Sequence, residues 1–239
     1  MKSGTYGLLV LVLSLTAVMN GRAGEQQPSH PSATAPAQAA PEFVPPHLVA
    51  AWPIEYPIRS VAAGVVVLEV SVDDNGKVAD VIPRRDIPSL TAAAVFSVKK
   101  WEYKAAMREG VPIWSRATVA VIFGPSVTPG PIELPALVSD FQAQRHRYPP
   151  EPPEILSVSP GVFPVGYVGL EMSTIFDVKV NVDGSIEGIE PIHDVRGLTE
   201  TSLAAAKQWK FQPARYEGKP IGSSVAVAFV YRPPAIDNP

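Results

Sequence analysis

The sequence predicts an α+β protein made of two tandem β-β-α-β modules, each a three-stranded antiparallel sheet packed on one helix. Two observations support this fold class. The middle and the end of the chain match without a gap at an offset of 108 residues, and both copies show strand, turn, strand, helix and strand patterns in the same order. The matched positions include two tryptophans and four glycines that we interpret as structural: Trp101 and Trp209, Gly76 and Gly184, Gly110 and Gly218.

The first 23 residues have the features of an export signal. Lys2 supplies the positive start, Leu8 to Met19 form an apolar core, and Gly21-Arg22-Ala23 is a small-x-small cleavage site. Residues 1–23 are therefore predicted to be a signal peptide. The alternative is an uncleaved inner-membrane anchor, because the uncharged run from Gly4 to Gly21 is near the shortest length that spans a bilayer. With either alternative, the remaining chain is exported.

Two proline-rich segments are expected to separate the parts of the chain. Residues 24–55 are rich in proline and alanine, which predicts a disordered tether. Residues 126–162 contain the run Pro149-Pro150-Glu151-Pro152-Pro153, which predicts a stiff spacer. The modules are accordingly placed at residues 56–125 and 163–233, tied by the spacer rather than fused into one core.

The elements of the first module follow from periodicity and turn chemistry. Val65 to Val72 is a valine-rich strand, and Asp74-Asn75-Gly76 supplies residues that tolerate positive φ before a second strand from Lys77 to Ile82. Apolar residues recur at helical spacing from Leu90 to Trp101. Ser115 to Phe123 alternates as a third strand and completes the module.

The second module repeats the same order of elements. Thr174 to Val182 and Ser185 to Pro191 are predicted to form the hairpin, Leu198 to Trp209 the helix, and Ser223 to Tyr231 the last strand. In both copies the tryptophan at the end of the helix is the largest apolar side chain available to the core.

Composition and motifs argue against enzymatic chemistry. The chain has no cysteine, a net charge of -3 and four scattered histidines without a second ligand at metal-binding spacing. It contains no phosphate-binding, dinucleotide-binding or nucleophile-elbow motif, and no aromatic and basic stripe typical of nucleic-acid binding. We therefore expect no enzyme activity, cofactor, metal, nucleic-acid partner or small-molecule substrate.

Short motifs in both copies resemble the C-terminal domain of TonB. The similarity comprises an aromatic-proline start, the hairpin turn, a tryptophan-x-aromatic helix exit and a glycine-x-proline turn. In the first copy these are Tyr56-Pro57, Asp74-Asn75-Gly76-Lys77-Val78, Trp101-Glu102-Tyr103 and Gly110-Val111-Pro112. In the second they are Phe163-Pro164, Val182-Asp183-Gly184, Trp209-Lys210-Phe211 and Gly218-Lys219-Pro220.

The resemblance implies binding of envelope proteins, most directly of outer-membrane transporter segments. In the family, a short transporter segment pairs with the exposed last strand of the domain, near the Tyr-Pro segment, and an exposed strand edge is chemically suited to this role. Trp114, which Gly222 replaces in the second copy, is a candidate contact at the start of the last strand. The partner-binding residues expected on this basis are Tyr56, Pro57, Trp114, Arg116, Thr118, Phe163, Pro164, Ser223 and Val225.

The resemblance implies a periplasmic location and leaves a link to TonB-dependent, energised transport open, but two departures count against energy transduction and against contact with motor proteins. The membrane helix of TonB engages the motor proteins ExbB and ExbD through a serine and a histidine four residues apart, whereas here Ser14 is followed by Val18. The duplication is a second departure from the usual family member. An alternative function is therefore a structural or scaffolding envelope protein whose modules pair with each other.

Overall fold

A computed structural model describes residues 43–124, 134, 148–164, 167 and 172–232. The predicted signal peptide, residues 24–42 of the predicted tether, and residues 126–133 and 135–147 of the predicted spacer lie outside the described residues. The α+β class is confirmed, because the described part of the chain consists mostly of strands and has two helices.

The described residues form seventeen elements, and from the hairpin onward their order is the same in both copies. In and before the first copy they are β1 (Phe43–Val44), β2 (His47–Ala50), β3 (Gly64–Val72), β4 (Val78–Arg85), α1 (Pro88–Val98), β5 (Glu102–Lys104), β6 (Ala106–Arg108), β7 (Val111–Ile113) and β8 (Ser115–Phe123). In and before the second copy they are β9 (Glu154–Ser157), β10 (Ser173–Val180), β11 (Ile186–His193), α2 (Thr199–Ala206), β12 (Lys210–Gln212), β13 (Ala214–Tyr216), β14 (Lys219–Ile221) and β15 (Ser223–Val230). Each copy thus has three short strands, between its helix and its last strand, that the sequence patterns did not predict.

The six long strands form one continuous sheet in the order β11-β10-β15-β8-β3-β4. All neighbouring strands are antiparallel except β15 and β8, which are parallel from the pair Val225 and Thr118 to the pair Val230 and Phe123. We call this central pairing the seam. The expectation that only a spacer ties the modules together is wrong, because their last strands pair directly.

The two helices pack on opposite faces of the sheet. Leu90 and Ala94 of α1 share a core with Val119 of β8, whereas Leu198 of α2 belongs to a second core with Ala120. Consecutive residues of a strand point to opposite faces. The seam explains this arrangement. A two-fold rotation that superposes β8 on β15 must have its axis along the strands, because the two strands are parallel. Such a rotation exchanges the two faces of the sheet.

A first arm, residues 43–57, packs against the face of the second module that α2 does not cover. The side chains of Leu48 and Ile54 are each 2% exposed, and they share the core of α1 with Ile175 of β10. The backbone N–H of Leu48 donates a hydrogen bond to Asp177, and that of Ile54 donates to Ser173. The prediction of a disordered tether is therefore wrong for residues 43–55, whose buried aliphatic side chains compensate for the entropy of ordering.

A second arm, residues 148–164, has the corresponding position on the first module. Ile155 and Val158 are buried with Val65 and Val67 of β3 in the core of α2. The hydroxyl of Thr118 donates to the carbonyl of Pro153 at 2.8 Å. Residues 148–162 are thus part of the folded unit, and the expected spacer is wrong over this range.

Each helix ends three residues before the tryptophan that the periodicity included. The backbone N–H of Trp101 donates to the carbonyl of Val98, which closes a tight turn after α1. The indole N–H of Trp101 then donates to the carbonyl of Trp52 at 3.0 Å, and that of Trp209 donates to the carbonyl of Ser159 at 3.0 Å. Both tryptophans therefore fasten an arm to the core of their own module.

We expect the Leu48→Ala substitution to lower the free energy of unfolding of the full chain by about 2–5 kcal/mol, because it leaves a cavity beneath the first arm. The adjacent Val49 is 50% exposed, so Val49→Ala should change it by no more than about 0.5 kcal/mol. Urea unfolding of both variants measures the difference. Equal effects would show that the first arm does not contribute to the folded core.

Substitutions at two turn glycines allow the cost of backbone strain to be measured apart from the cost of a steric clash. Gly76 and Gly110 both have φ +82°, but a Cβ on Gly76 would overlap the carbonyl oxygen of Tyr103, whereas a Cβ on Gly110 would meet nothing within 4 Å. We expect Gly110→Ala to lower the free energy of unfolding by about 1–2 kcal/mol. Gly76→Ala should lower the free energy of unfolding by about 1–3 kcal/mol more than Gly110→Ala does. Thermal unfolding measures both variants, and equal losses of stability would contradict this explanation.

Candidate partner-binding surface

The strands expected to receive a partner already have neighbours on both sides. β8 lies between β3 and β15, and β15 lies between β10 and β8. Val225 is opposite Thr118 in the seam, and Ser223 is opposite Val180 of β10. The expectation that the last strands are exposed edges is therefore wrong, because their backbone N–H and C=O groups face other strands of the same chain.

Arg116 and Thr118 are buried beneath the second arm rather than displayed to solvent. Arg116 is 5% exposed, its guanidinium lies 3.3 Å from the carboxylate of Glu69, and its Nε donates to the carbonyl of Tyr148. Thr118 is 1% exposed and bonds to Pro153. These two side chains hold the second arm on the sheet.

The two aromatic-proline segments close over the ends of the last strands. Tyr56 is half-buried, its ring meets Phe123 edge-on at 5.7 Å, and its hydroxyl donates to the carbonyl of Ala62. Pro57 offers its carbonyl to the N–H of Ser60. This placement fits a staple that fixes the chain as it enters the sheet.

The second aromatic-proline segment has a similar position. Phe163 packs on Tyr231 at 5.6 Å and on Tyr167 at 5.7 Å, and the carbonyl of Pro164 accepts a hydrogen bond from the N–H of Tyr167. A role in partner binding for either segment remains a prediction.

Trp114 is only partly available at the surface. It is 38% exposed, and its ring packs at a tilt on Tyr148 with the centroids 5.1 Å apart. The equivalent Gly222 can make no such contact with an arm. Trp114 therefore supports the second arm with one part of its ring and leaves the other part exposed.

The two outer strands of the sheet are poor sites for an added strand. Among the described strands, β4 and β11 have no neighbour on their outer sides, but Pro83 and Pro191 lie at matching positions within them and lack an N–H donor. The pairings of β4 with β3 and of β11 with β10 each contain two register shifts. Proline and irregular pairing are common protections against edge-to-edge association.

A charged cleft lies at the junction of the modules, and the sequence reasoning missed it. One part has a volume of about 320 Å³ and is lined by Glu69, Arg84 and Arg116 from the first module and by Arg215 from the second. Arg84 is 4% exposed and lies 3.2 Å from the carboxylate of Glu154. The available signal was a difference between the copies, because Arg84, Arg116 and Arg215 have no basic counterpart at their repeat-equivalent positions.

At the repeat-equivalent place in the second module, a buried carboxylate forms no ion pair with any of the described residues. Asp177, the counterpart of Glu69, is 1% exposed, and Ser224 stands in the place of Arg116. Burial raises the pKa of Asp177 to about 6, although hydrogen bonds from Ser224 and from the N–H of Leu48 favour the charged form. Burial also raises the pKa of the adjacent Tyr103 phenol.

An exposed aromatic pair lies on the first module. Trp52 is 61% and Phe96 68% exposed. The ammonium of Lys100 lies 4.0 Å from the centre of the Phe96 ring and 5.9 Å from that of Trp52. At an offset of 108 residues, Phe96 and Lys100 correspond to Ala204 and Gln208. Exposed aromatic groups of this size are common at protein contacts.

Within the described residues, no group of three or more histidine, cysteine, aspartate or glutamate side chains is placed to hold a metal. None of the helices in that part of the chain is long and apolar enough to cross a bilayer.

The joined sheet and its two arms make the two modules one folded unit, with the cleft between the copies. The family of Gram-negative bacterial TonB protein C-terminal domains matches residues 53–125 and 167–233, which is more than half of the 239 residues. The chain therefore belongs to this family, and the tandem pair of such domains is confirmed. The family is a non-enzymatic, protein-interacting one of the cell envelope. No curated protein and no solved structure matches the chain.

We expect Asp177→Asn to remove a pH dependence of stability between about pH 4 and 6. The folded-state pKa of Asp177, about 6, lies above its ordinary value of 3.8, so the folded protein holds this proton more tightly and loses stability as the pH rises through this window. A neutral asparagine avoids the loss, which amounts to about 3 kcal/mol at most.

Urea unfolding at pH 4 and pH 7.5 measures this effect. Asp194→Asn, which changes an exposed carboxylate of the same module, is the matched control. Two results would contradict a raised pKa of Asp177 as the cause. The stability of the wild type does not fall between pH 4 and 6, or it falls by the same amount in Asp177→Asn.

Proposed function

We propose that the chain is an exported, TonB-like envelope protein that binds protein partners, with outer-membrane transporter segments as the first class to test. Membership of the TonB C-terminal family supports the general role. The predicted export signal supports a periplasmic location. In this proposal the two modules act as one unit, and the seam stays closed when a partner binds.

The parallel pairing of β8 and β15 is the observation that carries the closed-seam proposal. The seam strands are buried along their length, and residues of both contribute to both cores. Adding a partner strand to β8 or β15 would require breaking these backbone hydrogen bonds and exposing apolar surface. A partner therefore uses surfaces outside the seam, where the cleft and the exposed aromatic pair lie.

A disulfide across the seam tests this proposal. Ala120 and Val227 are register partners in β8 and β15, and the chain has no cysteine of its own. The double variant Ala120→Cys/Val227→Cys can therefore be compared with itself in the oxidised and reduced forms, with Ala120→Cys as the single-substitution control. Binding of synthetic N-terminal segments of TonB-dependent transporters is measured by isothermal titration calorimetry.

We expect the oxidised and reduced forms to bind the same segments with affinities equal within about twofold, because a closed seam leaves the proposed surfaces unchanged. Binding by the reduced form alone would contradict the proposal and favour strand addition at an opened seam.

A second candidate function is a structural envelope protein without a transporter partner. The pairing of the two last strands with each other specifically favours it. Absence of binding in both redox states, with the seam disulfide formed and the fold intact, would favour this candidate over transporter binding.

A further inference from the structure

The charged cleft extends into a second cavity toward the surface. This outer part has a volume of about 360 Å³ and shares Arg116, Glu151 and Arg215 with the inner part. Its walls include Arg108 and Pro150, so both modules and the second arm contribute to it. Pockets of this size at the junction of two domains are common ligand sites.

The arginines that line the inner part of the cleft have no basic counterparts at the repeat-equivalent positions. Arg84 and Arg116 correspond to Ile192 and Ser224 at an offset of 108 residues, and Arg215 corresponds to Met107. Duplication alone therefore did not produce the cleft. Burying arginine next to carboxylate often adds no net stability compared with apolar packing. Arg116 fixes the second arm through the carbonyl of Tyr148 and also presents its guanidinium to the cleft.

The arginines of the cleft divide into two groups. Arg84 and Arg116 lie at its floor, each within 3.3 Å of a carboxylate. Arg108 and Arg215 lie at its mouth and are exposed. Within the described residues, neither of these two has a carboxylate within ion-pair distance, while Arg215 is oriented by a hydrogen bond to the carbonyl of Gly218 at 3.1 Å.

The mouth combines two guanidinium groups with apolar walls. Tyr148, Pro149 and Pro150 line one wall and Tyr216 another. Glu151 and Glu217 are also on the rim, so recognition depends on the forked donors of arginine, which match a carboxylate geometrically, rather than on net charge.

We propose that this cleft binds a short acidic peptide segment, with one side-chain carboxylate between Arg108 and Arg215 and the flanking backbone along the tyrosine and proline walls. This inference rests on the proposed protein-binding function and names its site and the chemistry of its partner. The site is incomplete in a single module, because Arg108 comes from the first and Arg215 from the second.

The test titrates the full chain, labelled with ¹⁵N, with acetyl-Ala-Glu-Ala-amide and follows backbone and arginine Nε resonances by NMR. The matched peptides carry glutamine or lysine instead of glutamate, and glutarate serves as a small carboxylate without a peptide backbone. We expect shifts at Arg108, Arg215 and the second arm with the glutamate peptide, and affinity at least about tenfold weaker for the other three ligands.

Two substitutions test the arginines directly. Arg215→Gln and Arg108→Gln should each weaken binding of the glutamate peptide about tenfold or more. Arg196→Gln, which changes an exposed arginine of the same charge outside the cleft, should leave it unchanged. Both cleft arginines are exposed, so the variants retain the buried core, and dispersed NMR spectra check that they fold.

Any one of four results would overturn the proposal. Three concern the ligands: equal affinity for the glutamate and glutamine peptides, tighter binding of the lysine peptide, or glutarate binding as tight as that of the glutamate peptide. The fourth is unchanged binding of the glutamate peptide by both cleft variants. If transporter segments still bind the closed-seam protein in any of these cases, the general protein-binding function stands and only its assignment to the cleft fails.

Discussion

The parallel pairing of β8 with β15 is the constraint on which the rest of the molecule depends. Two equivalent strands placed side by side in parallel are related by a rotation about an axis along the sheet, so their modules present opposite faces. Each helix then covers only half of the sheet, and each module leaves one apolar face open. A sheet with one bare apolar face is not stable in water, so something else must cover both halves.

The two arms cover these apolar faces. Each arm covers the face of the module to which it does not belong by sequence. The first arm pairs with β5 of its own module and buries Leu48 against the second. The second arm pairs with β12 and buries Ile155 against the first. Separating the modules would therefore expose the seam and both arm contacts together. This coupling is why the two copies form one folded unit rather than two domains on a string.

The sequence allowed the fold class, the long strands and the turn glycines to be predicted, because these depend on local periodicity and backbone conformation. Ser115 to Phe123 forms a strand with those bounds, and Gly76 and Gly184 have the expected positive φ. The arms were missed because composition suggested disorder, although their repeat shifts by one residue to 107: Pro46, Pro53 and Pro57 recur as Pro153, Pro160 and Pro164. The seam and the cleft could not be predicted, because the pairing of two edge strands depends on tertiary packing and not on local sequence. Arg84, Arg116 and Arg215 come together only once the two modules have paired.

The seam also explains why two nearly equivalent polar places have different properties. In each module a carboxylate of the first long strand is buried beneath an arm, as Glu69 in one copy and Asp177 in the other. Glu69 has Arg116 as an ion-pair partner, whereas Asp177 has hydrogen bonds, no ion pair among the described residues, and a raised pKa. At the first place, the guanidinium of Arg116 lies 3.3 Å from the carboxylate of Glu69 beside an open cleft. At the second, burial beneath a closed arm raises the pKa of the acid. The two copies thus carry different polar sites at equivalent positions, and the guanidinium groups make the first the better suited to bind a carboxylate.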